Sequence, residues 1–220
     1  MPILVIGGHS RSVGKTSVVA GLIAALPALH WTALKITQYG HGICSANGAP
    51  CDCATGDHSW AVNEERDRSG ESDSSRFLVA GAAHSWWVRT EQGRLAEAMP
   101  RVRAILAEAQ NTIIESNSIL RFLKPDLYLT VLDPSTADFK SSAQQFLDRA
   151  DAVLLHANSG HANVQPTSME NSPHADPAWK QVSLKPVANR PTFPIRPPNY
   201  VTTEIVDFVR HRLTLNPMSS

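Results

Sequence analysis

The chain has few cysteines, no excess of charge of either sign and no long apolar run. Lys and Arg together number 20, as do Asp and Glu, so the overall charge gives no reason to expect a nucleic-acid partner. The longest mostly apolar stretch, residues 18–29, is too short to span a bilayer and contains Pro27. The N-terminus lacks the pattern of a signal peptide. These absences predict a protein without a membrane partner.

The three cysteines all lie between Cys44 and Cys53, where they are expected to be thiols or metal ligands rather than disulfides. This usage predicts a reducing, cytoplasmic setting. The hydrophobic fraction is 42% over 220 residues, which is enough for one globular domain.

Short apolar segments alternate with helical patterns along most of the chain. Strands are predicted at 3–6, 31–36, 84–88, 112–116, 127–132, 152–156 and, weakly, 181–184. Helices are predicted at 16–26, 92–109, 141–149 and 202–213, with Pro100 starting a second helical segment or kinking the first. The alternation predicts a single α/β domain over 1–220, with a doubly wound, mostly parallel sheet and helices on both faces.

Two segments interrupt this alternation. Residues 37–75 are polar, rich in Gly and Ser, and contain every cysteine, so they are predicted to form a long functional insertion. Residues 186–198 contain five prolines and are predicted to follow an extended path at the surface.

A glycine-rich motif follows the first apolar segment. Residues 8–16 read Gly-His-Ser-Arg-Ser-Val-Gly-Lys-Thr, which is typical of a phosphate-binding loop between a strand and a helix. The common motif has four residues between its glycines, whereas five separate Gly8 from Gly14. The common spacing would place the first glycine at His9.

This motif predicts binding of ATP or GTP with Mg²⁺. Backbone N–H groups of the loop and of the next helix would hold phosphates, Lys15 would approach the terminal phosphates, and the Thr16 hydroxyl would bind the metal. Arg11 is predicted either to touch phosphates or to remain solvated. The predicted nucleotide-binding residues are Gly8, Arg11, Ser12, Val13, Gly14, Lys15, Thr16 and Ser17.

Three carboxylates are candidates for the same metal. Glu115 ends an apolar strand, and the carboxyl ends of parallel strands face the ligand crevice, so Glu115 is predicted to bind Mg²⁺ and to act in catalysis. Asp133 also follows a strand and competes with Glu115 for this role. Asp73 is a third candidate, although a helix N-cap would explain it as well.

Lys35 lies within an otherwise apolar strand, where a charge is costly unless it meets an anion. We expect it to act in catalysis by contacting a substrate carboxylate or phosphate, with a structural ion pair as the alternative. Asn158, after a strand, is a candidate for reading the nucleotide base, and Asn189 is a second candidate.

The cysteine segment is the last candidate site. Cys44, Cys51 and Cys53, together with His41, offer the soft donors that suit zinc or an iron–sulfur centre. Their spacing matches no familiar zinc motif, so reduced thiols without a metal are the alternative.

With these residues, the chain resembles the phosphate-loop proteins that include MobB, of molybdenum-cofactor synthesis, and dethiobiotin synthetase. The spacing within 8–16 is similar to the extended loop of dethiobiotin synthetase, and Lys35 matches a lysine of both families. Asp73-Ser74-Ser75-Arg76, followed by Ala80-Gly81-Ala82, resembles a MobB pattern, and Ile113-Ile114-Glu115 resembles the strand end at which both families bind Mg²⁺ through Glu.

The resemblance covers roughly residues 3–133, and the chain departs from it in three places. Ser116-Asn117 stands where both families have Gly, the synthetase Pro-Val is missing after Lys35, and the cysteine segment belongs to neither pattern. The resemblance implies a Mg²⁺-dependent NTPase that acts in cofactor or metal-centre assembly. A protein partner and a homodimer are further expectations. The alternatives are an ATP-dependent ligase or kinase of the dethiobiotin synthetase type, and a nucleotide-gated binding module with little turnover.

Overall fold

The computed structural model of the chain describes residues 1–39, 59–157 and 182–214. The strands are β1 (Ile3–Gly8), β2 (Trp31–Tyr39), β3 (Trp60–Glu64), β4 (His84–Glu91), β5 (Asn111–Glu115), β6 (Leu127–Leu132), β7 (Ala152–His156) and β8 (Thr192–Ile195). The α-helices are α1 (Lys15–Ala25), α2 (Asp73–Val79), α3 (Leu95–Glu108), α4 (Ser141–Gln145) and α5 (Thr203–Thr214). Short 3-10 helices lie at Pro27–Leu29, Ser118–Arg121, Leu147–Arg149 and Lys185–Val187.

The described strands form one eight-stranded sheet in the order β3-β4-β2-β5-β1-β6-β7-β8. Neighbouring strands are parallel except β3 and β4, which are antiparallel. The predicted α/β class with a mostly parallel sheet is therefore confirmed. Since β1 lies between β5 and β6, the loop that follows β1 emerges at the middle of the sheet.

Successive side chains of the central strands pack on opposite faces of the sheet, as the pleat requires. Leu4 and Ile6 are fully buried among residues of α1 and α5, whereas Val5 is fully buried among residues of α3. Both faces of the sheet are thus covered by helices. This explains why the strand sequences are continuously apolar instead of alternating.

Helix α1 is placed by residues at its two ends. Gly14 precedes it with φ of 88°, a left-handed conformation that glycine adopts without the clash a side chain would cause. Pro27 follows Leu26, and a proline disfavours helical backbone at the residue before it. The helix therefore starts directly at the phosphate-loop motif.

The structure differs from several of the predictions made from the sequence. The helix predicted at 92–109 is one helix, α3 (Leu95–Glu108), with Pro100 inside it rather than starting a second segment. The weak strand at 181–184 is wrong over its described residues, which lead into the 3-10 helix Lys185–Val187. The segment 186–198 is not only a surface path, because it supplies β8, in which Ile195 is fully buried.

The predicted insertion 37–75 also contains regular structure at both of its described ends. Strand β2 extends to Tyr39, while β3 and the start of α2 lie at its other end. Cys44, Cys51, Cys53 and His41 lie outside the described residues, as does Asn158. Over the described ranges, no helix has the length and apolar character needed to cross a membrane.

We predict that Val19→Ala in α1 lowers the free energy of unfolding by about 2 kcal/mol, since it removes two buried methyl groups and leaves a gap. Val19 is fully buried against the sheet. Val79→Ala is the matched control, because Val79 lies in α2 with 60% of its side chain exposed, and it should change stability by less than about 0.5 kcal/mol. Urea unfolding measures both, and equal losses would contradict this packing.

Candidate functional site

The phosphate-loop motif forms a tight turn between β1 and α1. Val13 is buried and packs into the core, while Arg11 and Ser12 are exposed. At Gly14 an added Cβ would fall on the ring of Tyr200, which follows β8. Both the positive φ and the close tyrosine therefore require glycine at this position.

Asn117 ties the start of the loop to the neighbouring strand. Its Oδ1 accepts a hydrogen bond from the Gly8 N–H (2.9 Å), and its Nδ2 donates to the Gly8 carbonyl (2.8 Å). A Cβ atom added at Gly7 would clash with the same Asn117 Oδ1. The departure from glycine after Glu115 thus supplies a side chain that fixes the loop, a contact that the sequence did not reveal.

His9, the extra residue of the motif, has no exposed surface. Its N–H donates to the Val131 carbonyl (3.2 Å), its carbonyl accepts from the Lys140 N–H (2.8 Å), and its ring lies against Phe139. Burial lowers the pKa of the His9 ring. The additional residue therefore joins the loop to the segment that follows β6.

Four of the predicted site residues meet in one cluster beside the loop. The Thr16 Oγ1 donates to Glu115 Oε2 (2.8 Å), and the Lys35 Nζ donates to Glu115 Oε1 and to Thr16 Oγ1 (3.3 Å). Asp73 Oδ2 lies 2.7 Å from the same Nζ. The side chain of Glu115 is only 3% exposed and that of Lys35 13%.

The register of the sheet explains this cluster. Lys35 of β2 and Glu115 of β5 are paired partners on adjacent strands, so their side chains leave the same face at the same level. Ser72, not Asp73, caps α2 by accepting from the Ser75 N–H (3.0 Å). The N-cap explanation of Asp73 is therefore wrong, and its carboxylate is free to face Lys35.

The cluster fits a divalent cation. It offers one hydroxyl and two carboxylates, the hard oxygen donors that suit Mg²⁺. The Lys35 ammonium already lies between oxygens of Thr16, Glu115 and Asp73, so the arrangement accommodates a positive charge at that point.

Lys15 points back over the loop. Its Nζ donates to the Ser10 carbonyl, and burial lowers its pKa from the ordinary 10.5 to about 8. The nearby charges of Lys140 and Lys35 lower it further, while Glu115 and Asp73 oppose the shift. A buried lysine near other cations is stabilised by a polyanion.

Lys140 is a second cation that the sequence did not indicate. The segment carrying it is fixed to the loop by its own N–H and by the Ser10 hydroxyl, which donates to Asp138 Oδ2 (2.8 Å). Burial, followed by the charge of Arg11, lowers the pKa of Lys140. Arg11, Lys15, Lys35 and Lys140 thus surround the mouth of the loop with positive charge.

The remaining candidates lie apart from this cluster. Asp133 accepts hydrogen bonds from Ser135 and Thr136 within its own turn, so of the three acidic candidates only Glu115 and Asp73 join the described cluster. The Ser17 hydroxyl accepts from Arg76 (3.3 Å). Asn189 is exposed shortly before β8, at the sheet edge opposite the loop, so it does not approach the site.

Two residues beside the loop were not anticipated from the sequence. The His156 Nε2 donates to the Val13 carbonyl (2.9 Å), and its ring meets the Tyr200 ring edge-on at 5.9 Å between centroids. A single histidine at a strand end and a tyrosine after a proline pair carry no pattern that signals such a contact.

The chain contains a central parallel strand that leads into a glycine loop ending Gly-Lys-Thr, and a helix starts at that lysine. The chain has the fold of a P-loop NTPase. No protein-family model matches its sequence, and no curated protein does.

Similar solved structures include three proteins of low sequence identity. LpxK from Aquifex aeolicus, in complex with ATP, has 16% identity and a TM-score of 0.49 over 88% of this chain, which spans about half (53%) of the LpxK chain. HypB from Helicobacter pylori, in complex with nickel, has 12% identity and a TM-score of 0.47 over 99% of this chain and 89% of HypB. MobB from Bacillus subtilis has 15% identity and a TM-score of 0.39 over 97% and 98% of the two chains.

We predict that the affinity for a nucleoside triphosphate falls as pH rises above about 8. In the free protein Lys15 loses its proton near this pH, so binding must then take up a proton, and affinity falls by up to about ten-fold per pH unit. Calorimetric titration between pH 7.5 and 9.5 measures this.

Lys15→Arg provides the control, because its guanidinium stays charged throughout this range. Lys140 is present in both proteins, so the difference between their profiles reports on Lys15. Parallel profiles would show that Lys15 is not the group responsible.

Proposed function

We propose that this chain is a Mg²⁺-dependent NTPase that binds ATP or GTP at its P-loop. One observation carries the proposal. Oxygen atoms of Thr16, Glu115 and Asp73 all contact the Lys35 ammonium, beside Lys15 at the start of α1. A phosphate loop alone would bind many anions. The acidic cluster beside the Thr16 hydroxyl adds what a metal–nucleotide complex requires.

Several groups of the chain would bind the nucleotide phosphates. Backbone N–H groups of the loop and the N-terminus of α1 hold phosphate oxygens. Lys15 and Lys140 place positive charge against the terminal phosphates, with Arg11 at the exposed side. Asn117 holds Gly8 in position, so the loop needs little rearrangement when the nucleotide binds.

Mg²⁺ would be held by Thr16, Glu115 and Asp73, and would neutralise the charge that develops on the phosphates. Glu115 accepts the hydroxyl hydrogen of Thr16, which orients the lone pairs of that oxygen. Its burial keeps water away from the carboxylate and strengthens its electrostatic effect.

We further propose a role in cofactor or metal-centre assembly, with a protein partner and a homodimer as parts of the same proposal. It is supported by the sequence pattern that the chain shares with MobB-like proteins around Asp73 and by the cysteine segment. The dethiobiotin synthetase alternative needs Lys35 to contact a substrate acid. In the structure Lys35 is held by Glu115, Asp73 and Thr16, which favours a role at the metal.

We predict that Mg²⁺ with ATP or GTP raises the melting temperature of the wild-type protein but not of Lys15→Ala. A ligand that binds the folded state, at a concentration of about 100 times its Kd, adds about 2.7 kcal/mol to the free energy of unfolding. A thermal-shift panel of ATP, GTP and their diphosphates, each with and without Mg²⁺, identifies the preferred nucleotide.

Glu115→Gln should keep a response to the nucleotide but lose most of the additional effect of Mg²⁺, since one metal ligand has lost its charge. Lys124→Ala is the control, because Lys124 is exposed and lies outside the cluster. An unchanged Mg²⁺–nucleotide response in Lys15→Ala would refute nucleotide binding at this loop.

We also propose that the segment with His41, Cys44, Cys51 and Cys53 binds zinc or an iron–sulfur cluster. Protein prepared without oxygen should contain zinc or iron, and replacement of all three cysteines by serine should reduce the metal to background. Elemental analysis and the visible absorption spectrum distinguish the two metals. Equal metal content in both proteins, or none in either, would contradict the proposal.

A further inference from the structure

The Lys35 ammonium lies at the position where the proposed site would bind Mg²⁺. Its Nζ contacts Thr16 Oγ1, Glu115 Oε1 and Asp73 Oδ2, an oxygen of each residue proposed to hold Mg²⁺. The pairing of β2 with β5 sets Lys35 directly beside Glu115, so the contact follows from the backbone register and not from a chance side-chain orientation.

A divalent ion and the Lys35 ammonium would compete for these oxygens. Two carboxylates and one ammonium carry a net charge of about −1, and an added Mg²⁺ would bring two cations to within a few ångströms of each other. We therefore expect metal binding to displace Lys35 from the carboxylates of Glu115 and Asp73. Since Lys35 is mostly buried, the displaced ammonium needs another anion nearby.

Within the described ranges 1–39, 59–157 and 182–214, the other charged groups around the loop do not supply that anion. Lys15 and Lys140 are cations whose charges already act on one another. The two carboxylates that follow β6 are already engaged, since Asp138 accepts from the Ser10 hydroxyl and Asp133 accepts from Ser135 and Thr136. A nucleotide phosphate at the loop would bring the anionic oxygens that are needed.

We propose that Lys35 is an internal counter-ion that keeps the acidic cluster closed to free divalent metal until a nucleotide binds. The inference rests on the proposed function and adds a regulatory property to the same site. Free Mg²⁺ has to displace the ammonium without compensation, whereas Mg²⁺ with a nucleotide provides phosphates that accept it. Metal and nucleotide then enhance each other's binding, and this coupling is reciprocal.

The test measures binding of Mn²⁺, as a spin probe for Mg²⁺, in the absence of any nucleotide. Lys35→Met removes the charge and keeps much of the side-chain length, so it should bind Mn²⁺ at least about ten-fold more tightly than the wild-type protein. Lys35→Arg keeps the charge and should remain weak, as should Lys124→Met, which removes one positive charge at an exposed position outside the cluster. Electron paramagnetic resonance of the free ion measures each affinity.

A structural ion pair predicts a different result. If Lys35 only stabilised Glu115, Lys35→Met would be less stable but would bind Mn²⁺ no better than the wild-type protein, and the inference would be overturned. Lys35→Gln retains a hydrogen-bond donor beside Glu115 and replaces Lys35→Met if that variant does not fold.

The wild-type protein offers an independent measurement by ¹⁵N NMR of the lysine ammonium groups, with Lys35→Arg used to assign the signal. Millimolar Mg²⁺ alone should leave the Lys35 signal in place, whereas Mg²⁺ with an imido analogue of ATP or GTP should move it. A shift with Mg²⁺ alone would overturn the inference. Failure of both analogues to bind would instead refute the proposed function, so the two failures are distinguishable.

Discussion

The buried carboxylate of Glu115 is the constraint around which the site is organised. A charge with 3% exposure is costly unless it is paired, and here Lys35 and Thr16 both contact it. Lys35 comes from β2, Glu115 from β5 and Thr16 from α1, and Asp73 of α2 completes the group through Lys35. Neutralising one carboxylate thus brings four elements of the fold to one point.

The rest of the loop is fixed by hydrogen bonds to backbone groups and by close packing. Asn117 satisfies both polar groups of Gly8, His9 links the loop to the segment after β6, and Tyr200 packs over Gly14. The loop conformation therefore depends on neighbours from several later parts of the chain. The extra residue in the motif has a structural reason, because His9 is fully buried and its backbone bonds to Val131 and Lys140.

The sequence predicted the central strands and the class of the sheet, and it named Thr16, Glu115 and Asp73 as candidates, which the structure places around Lys35. Continuous apolar runs mark strands buried on both faces, and acids at strand ends meet at one edge of a parallel sheet. Strand β8 was missed because Pro194 is unusual in a strand, yet an edge position tolerates it. The exact partner of Lys35 could not be derived, since it depends on the register between two strands that are distant in sequence.

The packing of Tyr200 on Gly14 has a consequence for synthesis of the chain. The aromatic ring that rests on the glycine loop belongs to a segment that is made nearly 200 residues after the loop. At about 5–20 residues per second, this interval lasts roughly 10–40 s. For much of that interval β1 also lacks its partners β5 and β6, so the loop is completed long after it is made.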